Sequence, residues 1–110
     1  MIIKIAIDFS KTPGVRYEQE GDHPGSDFRE RILLPKLQEA ISKGDKLTID
    51  LDGTSGLGTS FLEESFGGLI RVNKIRYNDI MNTLVFIATE DPDYIDEIQE
   101  YLQDARDNEE

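Results

Sequence analysis

Asp50-Leu51-Asp52-Gly53-Thr54-Ser55-Gly56-Leu57-Gly58-Thr59-Ser60-Phe61-Leu62-Glu63 is the stretch on which the reading of the fold turns. Behind it, Lys46 to Asp52 alternates apolar and polar residues, the period of a strand with one buried face. Ahead of it, Ser60-Phe61-Leu62-Glu63 has the S-x-x-E pattern of a capping box and predicts a helix to about Val72. The Gly-rich turn from Gly53 to Gly58 joins the two. A strand, a tight turn and a helix N-terminus in succession are half of a β-α-β unit.

Reading outward supplies the other half. Toward the C-terminus, Asn73 to Asn82 has little pattern, with one helical turn expected at Asn78-Asp79-Ile80-Met81. Thr83 to Ala88 is nearly continuous apolar sequence, as in a central strand buried on both faces. Asp91 as N-cap and Pro92 as first helical residue predict a last helix. Its apolar stripe is Tyr94, Ile98, Tyr101, Leu102 and Ala105. Toward the N-terminus, Ile2 to Phe9 reads as a strand and Thr12-Pro13-Gly14 as a turn. Val15 to Glu18 reads as a short returning strand, and Glu20 to Gly25 as a loop. Ser26 is the expected cap of a helix that stops at Gly44 and is kinked or split at Pro35. The order β, (β), α, β, α, β, α predicts an α/β fold: an about four-stranded, mixed but mostly parallel sheet with helices packed against it. One domain over residues 1–106 is expected, followed by an acidic, disordered tail over 107–110.

The chain has 110 residues, enough for one core. With no Cys and one His, disulfides, thiolate centres and histidine-cluster zinc sites are excluded. Twelve Lys and Arg against 23 Asp and Glu give a net charge of −11. Ten of those acids, against the single base Arg106, lie between Glu90 and Glu110, so the body before them is nearly balanced. The acidic end reads first as a solvated helix face and otherwise as a docking surface for a basic partner. The charge repels nucleic acid and anionic lipid, so neither is an expected partner. No apolar run reaches the roughly 20 residues of a membrane span. The N-terminus lacks a signal-peptide layout, and the expected location is cytoplasmic.

The Gly-rich turn and its surroundings offer few routes to chemistry. Gly53 and Gly58 have the G-x-x-x-x-G spacing of a phosphate-binding loop, but Thr59 stands where that loop needs Lys, so nucleotide binding is not expected. Asp50, Asp52, Glu63 and Glu64 lie close enough in sequence to suggest a Mg²⁺ site and a metal-dependent enzyme. The simpler reading has the aspartates ending a strand, Glu63 closing the capping box and Glu64 solvated, with no metal. His23 reads as solvated. Ser60 lacks the G-x-S-x-G nucleophile pattern, because Leu62 takes the place of the last Gly. No enzyme and no cofactor are therefore expected. Gly67-Gly68 inside a helix costs roughly 2 kcal/mol relative to Ala-Ala. That cost implies close backbone approach, to the sheet or to a partner helix. Phe61 and Phe66 read as core before they read as recognition anchors.

Gly14-Val15-Arg16, the Gly25-Ser26-x-Phe28-Arg29 neighbourhood, Leu34-Pro35, Ile49-Asp50-Leu51-Asp52-Gly53 and Thr59-Ser60-Phe61-Leu62-x-Glu64-x-Phe66-Gly67-Gly68-Leu69 resemble the bacterial STAS-like domain family of unknown function. The resemblance covers about residues 14–105. That family is similar to STAS domains of anti-sigma-factor antagonists and sulfate transporters. In the antagonists, a strand leads to a helix opening with Asp-Ser-Ser, whose first Ser is phosphorylated by a partner kinase with a histidine-kinase-type ATPase fold. Phosphorylation switches binding off. The resemblance places Asp50-Leu51 on the end of that strand and Gly58-Thr59-Ser60 on Asp-Ser-Ser. Thr59 then becomes the phosphoacceptor candidate and Ser60 the second hydroxyl, with Gly58 where antagonists carry Asp.

The leading expectation is a non-enzymatic regulatory module binding a histidine-kinase-type ATPase or anti-sigma-like kinase. Its contact surface would comprise Asp52, Gly53, Gly56, Gly58, Phe61, Glu63, Glu64, Gly67 and Gly68. Self-association stays open. The alternative is a small-ligand or anion-binding domain using the Gly53–Ser60 loop and the following helix N-terminus.

Overall fold

A computed structural model describes residues 1–13 and 24–109. Strand β1 is Ile2–Lys4, and the chain then coils at once into a helical turn, α1, Ile5–Asp8. The expected strand to Phe9 is therefore cut to three residues. Lys4 N–H donates to the Asp8 carboxylate at 2.8 Å, an acid closing the first turn of a helix. The expected returning strand, Val15 to Glu18, and His23 lie outside the described residues.

Helix α2 covers residues 24–43. It opens at Pro24–Phe28, passes through a π-helical turn at Arg29–Leu33 and continues as Leu34–Lys43. Ser26 does not cap it: Pro24 and Gly25, expected in a loop, are already helical. The wide turn answers the problem posed by Pro35. Leu34 N–H reaches back five residues to the Arg29 carbonyl, so the ladder loosens directly ahead of the ring that cannot donate. Gly44 ends the helix at φ 70°, a left-handed cap that suits a residue without Cβ.

Strand β2 is Leu47–Asp50 and strand β3 is Leu84–Ile87. Among the described residues the sheet has three strands, all parallel, in the order β1-β2-β3. The expected four-stranded mixed sheet is corrected accordingly, and so is the place of the apolar run at Leu84–Ile87. Among the described residues that run is an edge strand, with Val85 44% exposed, and the central strand is β2. The row Ile3, Ile49 and Phe86 crosses the sheet in register, and Ile3 and Ile49 are fully buried. Right-handed crossovers between strands in sequential order put their helices on one face. Phe66 meets that face, its ring edge-on to Phe86 at 5.7 Å. The opposite face carries Ile2, Thr48 and Val85, with Ile2 47% exposed.

Helix α3, residues 59–71, runs Thr59–Leu62, a second π-helical turn Glu63–Gly67, and Gly68–Arg71. Helix α4 is Tyr77–Thr83, longer than the single expected turn. Helix α5 is Asp93–Asn108 and buries Ile98, Leu102 and Ala105 of the expected stripe. It starts one residue later than expected. Asp91 still works as a cap, its carboxylate accepting Asp93 N–H at 3.2 Å and its carbonyl accepting Tyr94 N–H. Beyond Arg106 the helix continues to Asn108, and Glu109 pairs with Lys74 at 3.0 Å.

The two π-helical turns explain the costly glycine pair. Arg29, 4% exposed, leaves the α2 turn and lies on Gly68, directly after the α3 turn, where its guanidinium donates to the Glu64 carbonyl. A Cβ at Gly68 would come within 2.7 Å of the guanidinium carbon. Reciprocally, a Cβ at Gly25 would come within 2.8 Å of the Phe61 carbonyl, and buried Ser65 donates its hydroxyl to the Gly25 carbonyl at 3.3 Å. The close approach therefore joins α2 to α3 within the chain, and it does not involve the sheet. Phe9, Phe28 and Phe61 close the adjoining core with ring centres 5.4 to 6.1 Å apart.

Candidate functional site

Parallel strands bring the loops that follow them to one edge of the sheet, and ligands or partners of open α/β folds meet that edge. Here the loop after β2 meets the loop after β3. Asp52, two residues past the end of β2, accepts Thr89 N–H at 3.2 Å, the Thr89 hydroxyl, and Glu90 N–H at 3.0 Å. These donors, the Glu90 N–H foremost, hold the Asp52 carboxyl below the usual aspartate range. Asp50 turns the chain locally by accepting Asp52 N–H at 3.0 Å.

The Gly53–Gly58 loop is tied at several points. Gly53, at φ 91°, donates its N–H to the Glu90 carboxylate at 2.6 Å. Ser55 N–H donates to the Lys11 carbonyl at 2.7 Å, and Leu57 N–H to the Tyr94 hydroxyl at 3.1 Å. Leu57 is buried, whereas Gly53, Ser55, Gly58, Thr59 and Ser60 are exposed. Gly56 is half-buried. The helix begins one residue before the expected cap: Gly58 is the N-cap and makes no side-chain cap bond, so Ser60 is already inside the first turn. Glu63 closes no capping box and pairs instead with Arg71.

Thr59 keeps an exposed hydroxyl at the helix start, with a specific neighbour. It donates to Glu97 of α5 at 3.2 Å, and the same carboxylate oxygen accepts the Tyr101 hydroxyl at 2.8 Å. Burial, and the anionic Glu97 beside it, push the Tyr101 phenol up. A cleft of about 490 Å³ adjoins the loop, lined by Lys4, Lys11, Asp50, Asp52, Gly53 and Glu90 among others.

Of the expected contact residues, Asp52, Gly53, Gly56 and Gly58 lie together on this rim. Phe61, Gly67 and Gly68 are buried, and their packing partners are Phe9, Phe28, Glu63 and Arg29 of the same chain. Glu63 and Glu64 are half-buried farther along α3. Asp50, Asp52, Glu63 and Glu64 do not converge, and among the described residues no three His, Cys, Asp or Glu side chains are arranged to hold a metal ion. No helix of the described residues is long and apolar enough to cross a membrane.

Sequence reading missed Glu90, Tyr94, Glu97 and Tyr101 as members of the rim. Topology was the available signal: once β2 and β3 are parallel neighbours, Thr89-Glu90 must follow β3 to the place where Asp52-Gly53 follows β2. The reach of α5 across to Thr59 had no local signal, because it depends on how that helix lies over α3.

None of the curated proteins or solved structures compared with the chain matches it significantly. A family profile described as "STAS-like domain of unknown function (DUF4325)" matches residues 25–94, which include β2, the Gly53–Ser60 loop, α3 and β3. That match spans well over half of the chain, so the protein belongs to the STAS-like domain family of unknown function.

Proposed function

We propose that this chain is a non-catalytic protein-interaction module whose contact surface is the Gly53–Ser60 rim with Asp52. Its partner, in this proposal, is a histidine-kinase-type ATPase, and the contact is regulated at Thr59. The observation that carries the reading is a loop tied to Glu90, Lys11 and Tyr94 while Gly53, Ser55, Gly58, Thr59 and Ser60 stay exposed. A loop held in one conformation loses little entropy when a partner covers it. The resemblance to anti-sigma-factor antagonists supplies the class of partner. Anion binding at the same loop has less support. The N–H groups of Gly53, Ser55 and Leu57 are already engaged within the chain, and the Thr59 hydroxyl points at a carboxylate.

Phosphorylation of Thr59 would place about −1.5 to −2 charges against Glu97. Glu97 would be expelled and its link to Tyr101 broken, so the modification would change both the charge and the shape of the rim. The test is calorimetric titration of the chain against a histidine-kinase-type ATPase isolated by co-purification with it. Thr59→Glu should weaken that binding at least tenfold, about 1.4 kcal/mol, while the folded far-ultraviolet spectrum is kept. Equal affinities for Thr59→Glu and wild type would end the switch proposal. Heat with inorganic phosphate but none with the ATPase would favour the anion-binding alternative.

A further inference from the structure

A second concave site lies away from the rim, at Arg106, about 14 Å along α5 from Glu97. It is an open groove of about 310 Å³ lined by Ile70, Lys74, Ile75, Arg76, Tyr77, Arg106 and Glu109. Its walls are apolar and its charged groups are mainly cationic, three bases against one acid, in a chain of net charge −11. The Arg106 guanidinium lies over the Tyr77 ring at 4.4 Å, and its Nε pairs with Asp107 at 3.1 Å. Arg76 has no ion pair among the described residues and is exposed. Lys74 has φ 60°, a conformation that residues with a Cβ seldom adopt.

One carboxylate is already there. Both oxygens of Glu109 accept from Lys74 Nζ, at 3.1 and 3.0 Å. Glu109 follows the last helical residue, Asn108, and its N–H still donates to the Arg106 carbonyl at 3.2 Å, so it is the side chain that would leave the anion position. We propose that this groove binds the carboxylate of a small apolar acid, its body against Ile75 and Tyr77 and its charge on Lys74 and Arg76, and that Glu109 occupies the anion position in the free protein. A carboxylate brought by a ligand with an apolar body gains the walls that Glu109 leaves uncovered. Uncharged analogues gain the walls alone.

The probe is 3-phenylpropanoate, titrated into the ¹⁵N-labelled full chain, with 3-phenylpropanamide as its uncharged counterpart. Shifts should appear at Ile75, Tyr77 and Arg106, and the amide should bind about tenfold more weakly or worse, as expected for loss of a charge-assisted contact. Glu109→Gln removes the internal competitor and should tighten the acid's binding about two- to fivefold, the range an exposed ion pair allows. Arg76→Gln should weaken it. Exposed polar substitutions of this kind leave the fold intact, and the unchanged signals of β2 verify that in the same spectra. Equal binding of acid and amide would overturn the proposal, as would shifts absent from the groove or an affinity unmoved by Glu109→Gln.

Discussion

Gly68→Ala should change sign with its neighbour. In an ordinary helix the substitution stabilises, because Gly is about 1 kcal/mol poorer than Ala. Here the new Cβ would come within 2.7 Å of the Arg29 guanidinium carbon and 3.2 Å of its Cδ. Arg29 has nowhere to retreat: it is 4% exposed, its Nε pairs with Glu30 at 3.1 Å, and its terminal nitrogen donates to the Glu64 carbonyl. Displacing it breaks a hydrogen bond to a charged group, about 1.5–3 kcal/mol, and leaves the Glu64 carbonyl without that donor. The loss exceeds the propensity gain, so Gly68→Ala should destabilise by about 1–2 kcal/mol. Arg29→Met removes the obstacle and keeps most of the volume. In that background Gly68→Ala should stabilise, by up to about 1 kcal/mol. Urea unfolding of the four proteins of the double-mutant cycle, followed by circular dichroism, gives the coupling directly. If Gly68→Ala has the same sign and size in both backgrounds, the glycine is not there to make room for Arg29.

Ile49 is fully buried at the centre of the sheet, between Ile3 and Phe86. Ile49→Ala should therefore cost about 2–5 kcal/mol, read as a lower urea midpoint at unchanged slope; an unchanged midpoint would place the side chain elsewhere. Asp52 has a lowered pKa in the folded state, so its stabilising share is complete above the ordinary value of 3.8 and is lost as pH falls through the lowered value. Asp52→Asn should accordingly flatten the acid limb of the stability profile below that pH, and an identical limb in wild type and variant would contradict the bonds to Thr89 and Glu90. Truncation after Arg106 removes the exposed Lys74–Glu109 pair and should cost less than about 1 kcal/mol, measured as the same urea midpoint shift; a larger loss would mean that the C-terminal end contributes packing to the body.

The period-2 pattern of Leu47-Thr48-Ile49-Asp50, the stripe of Ile98, Leu102 and Ala105, and Gly44 as a helix end were legible because each depends on residues within a few positions of one another. The α/β class followed from the order of those elements, and the match of residues 25–94 to the STAS-like family agrees with it. The location of the rim was legible for the same reason, since a Gly-rich turn after a strand must lie at the sheet's carboxyl edge.

Tertiary structure alone decided the rest. Ile5 to Asp8 have strand-forming residues, yet the chain coils there, where the sheet offers β1 only three paired positions. Leu84–Ile87 looks central by hydrophobicity but lies at an edge among the described residues, because hydrophobicity reports burial and not which neighbours a strand has. The capping box at Ser60-x-x-Glu63 satisfies the local pattern, but Arg71, eight residues away, takes the Glu63 carboxylate. Gly67-Gly68 announced a close approach without saying to what, since the other side of the contact, Arg29, lies some 40 residues earlier and arrives through a π-helical turn. The Glu97 carboxylate at Thr59 is likewise a meeting of two segments 38 residues apart. Local patterns record each segment's own preference for backbone shape and burial. Which segment lies opposite is set by the packing of the whole chain, and there the buried arginine, the glycines beneath it and the acid beside Thr59 acquire their roles.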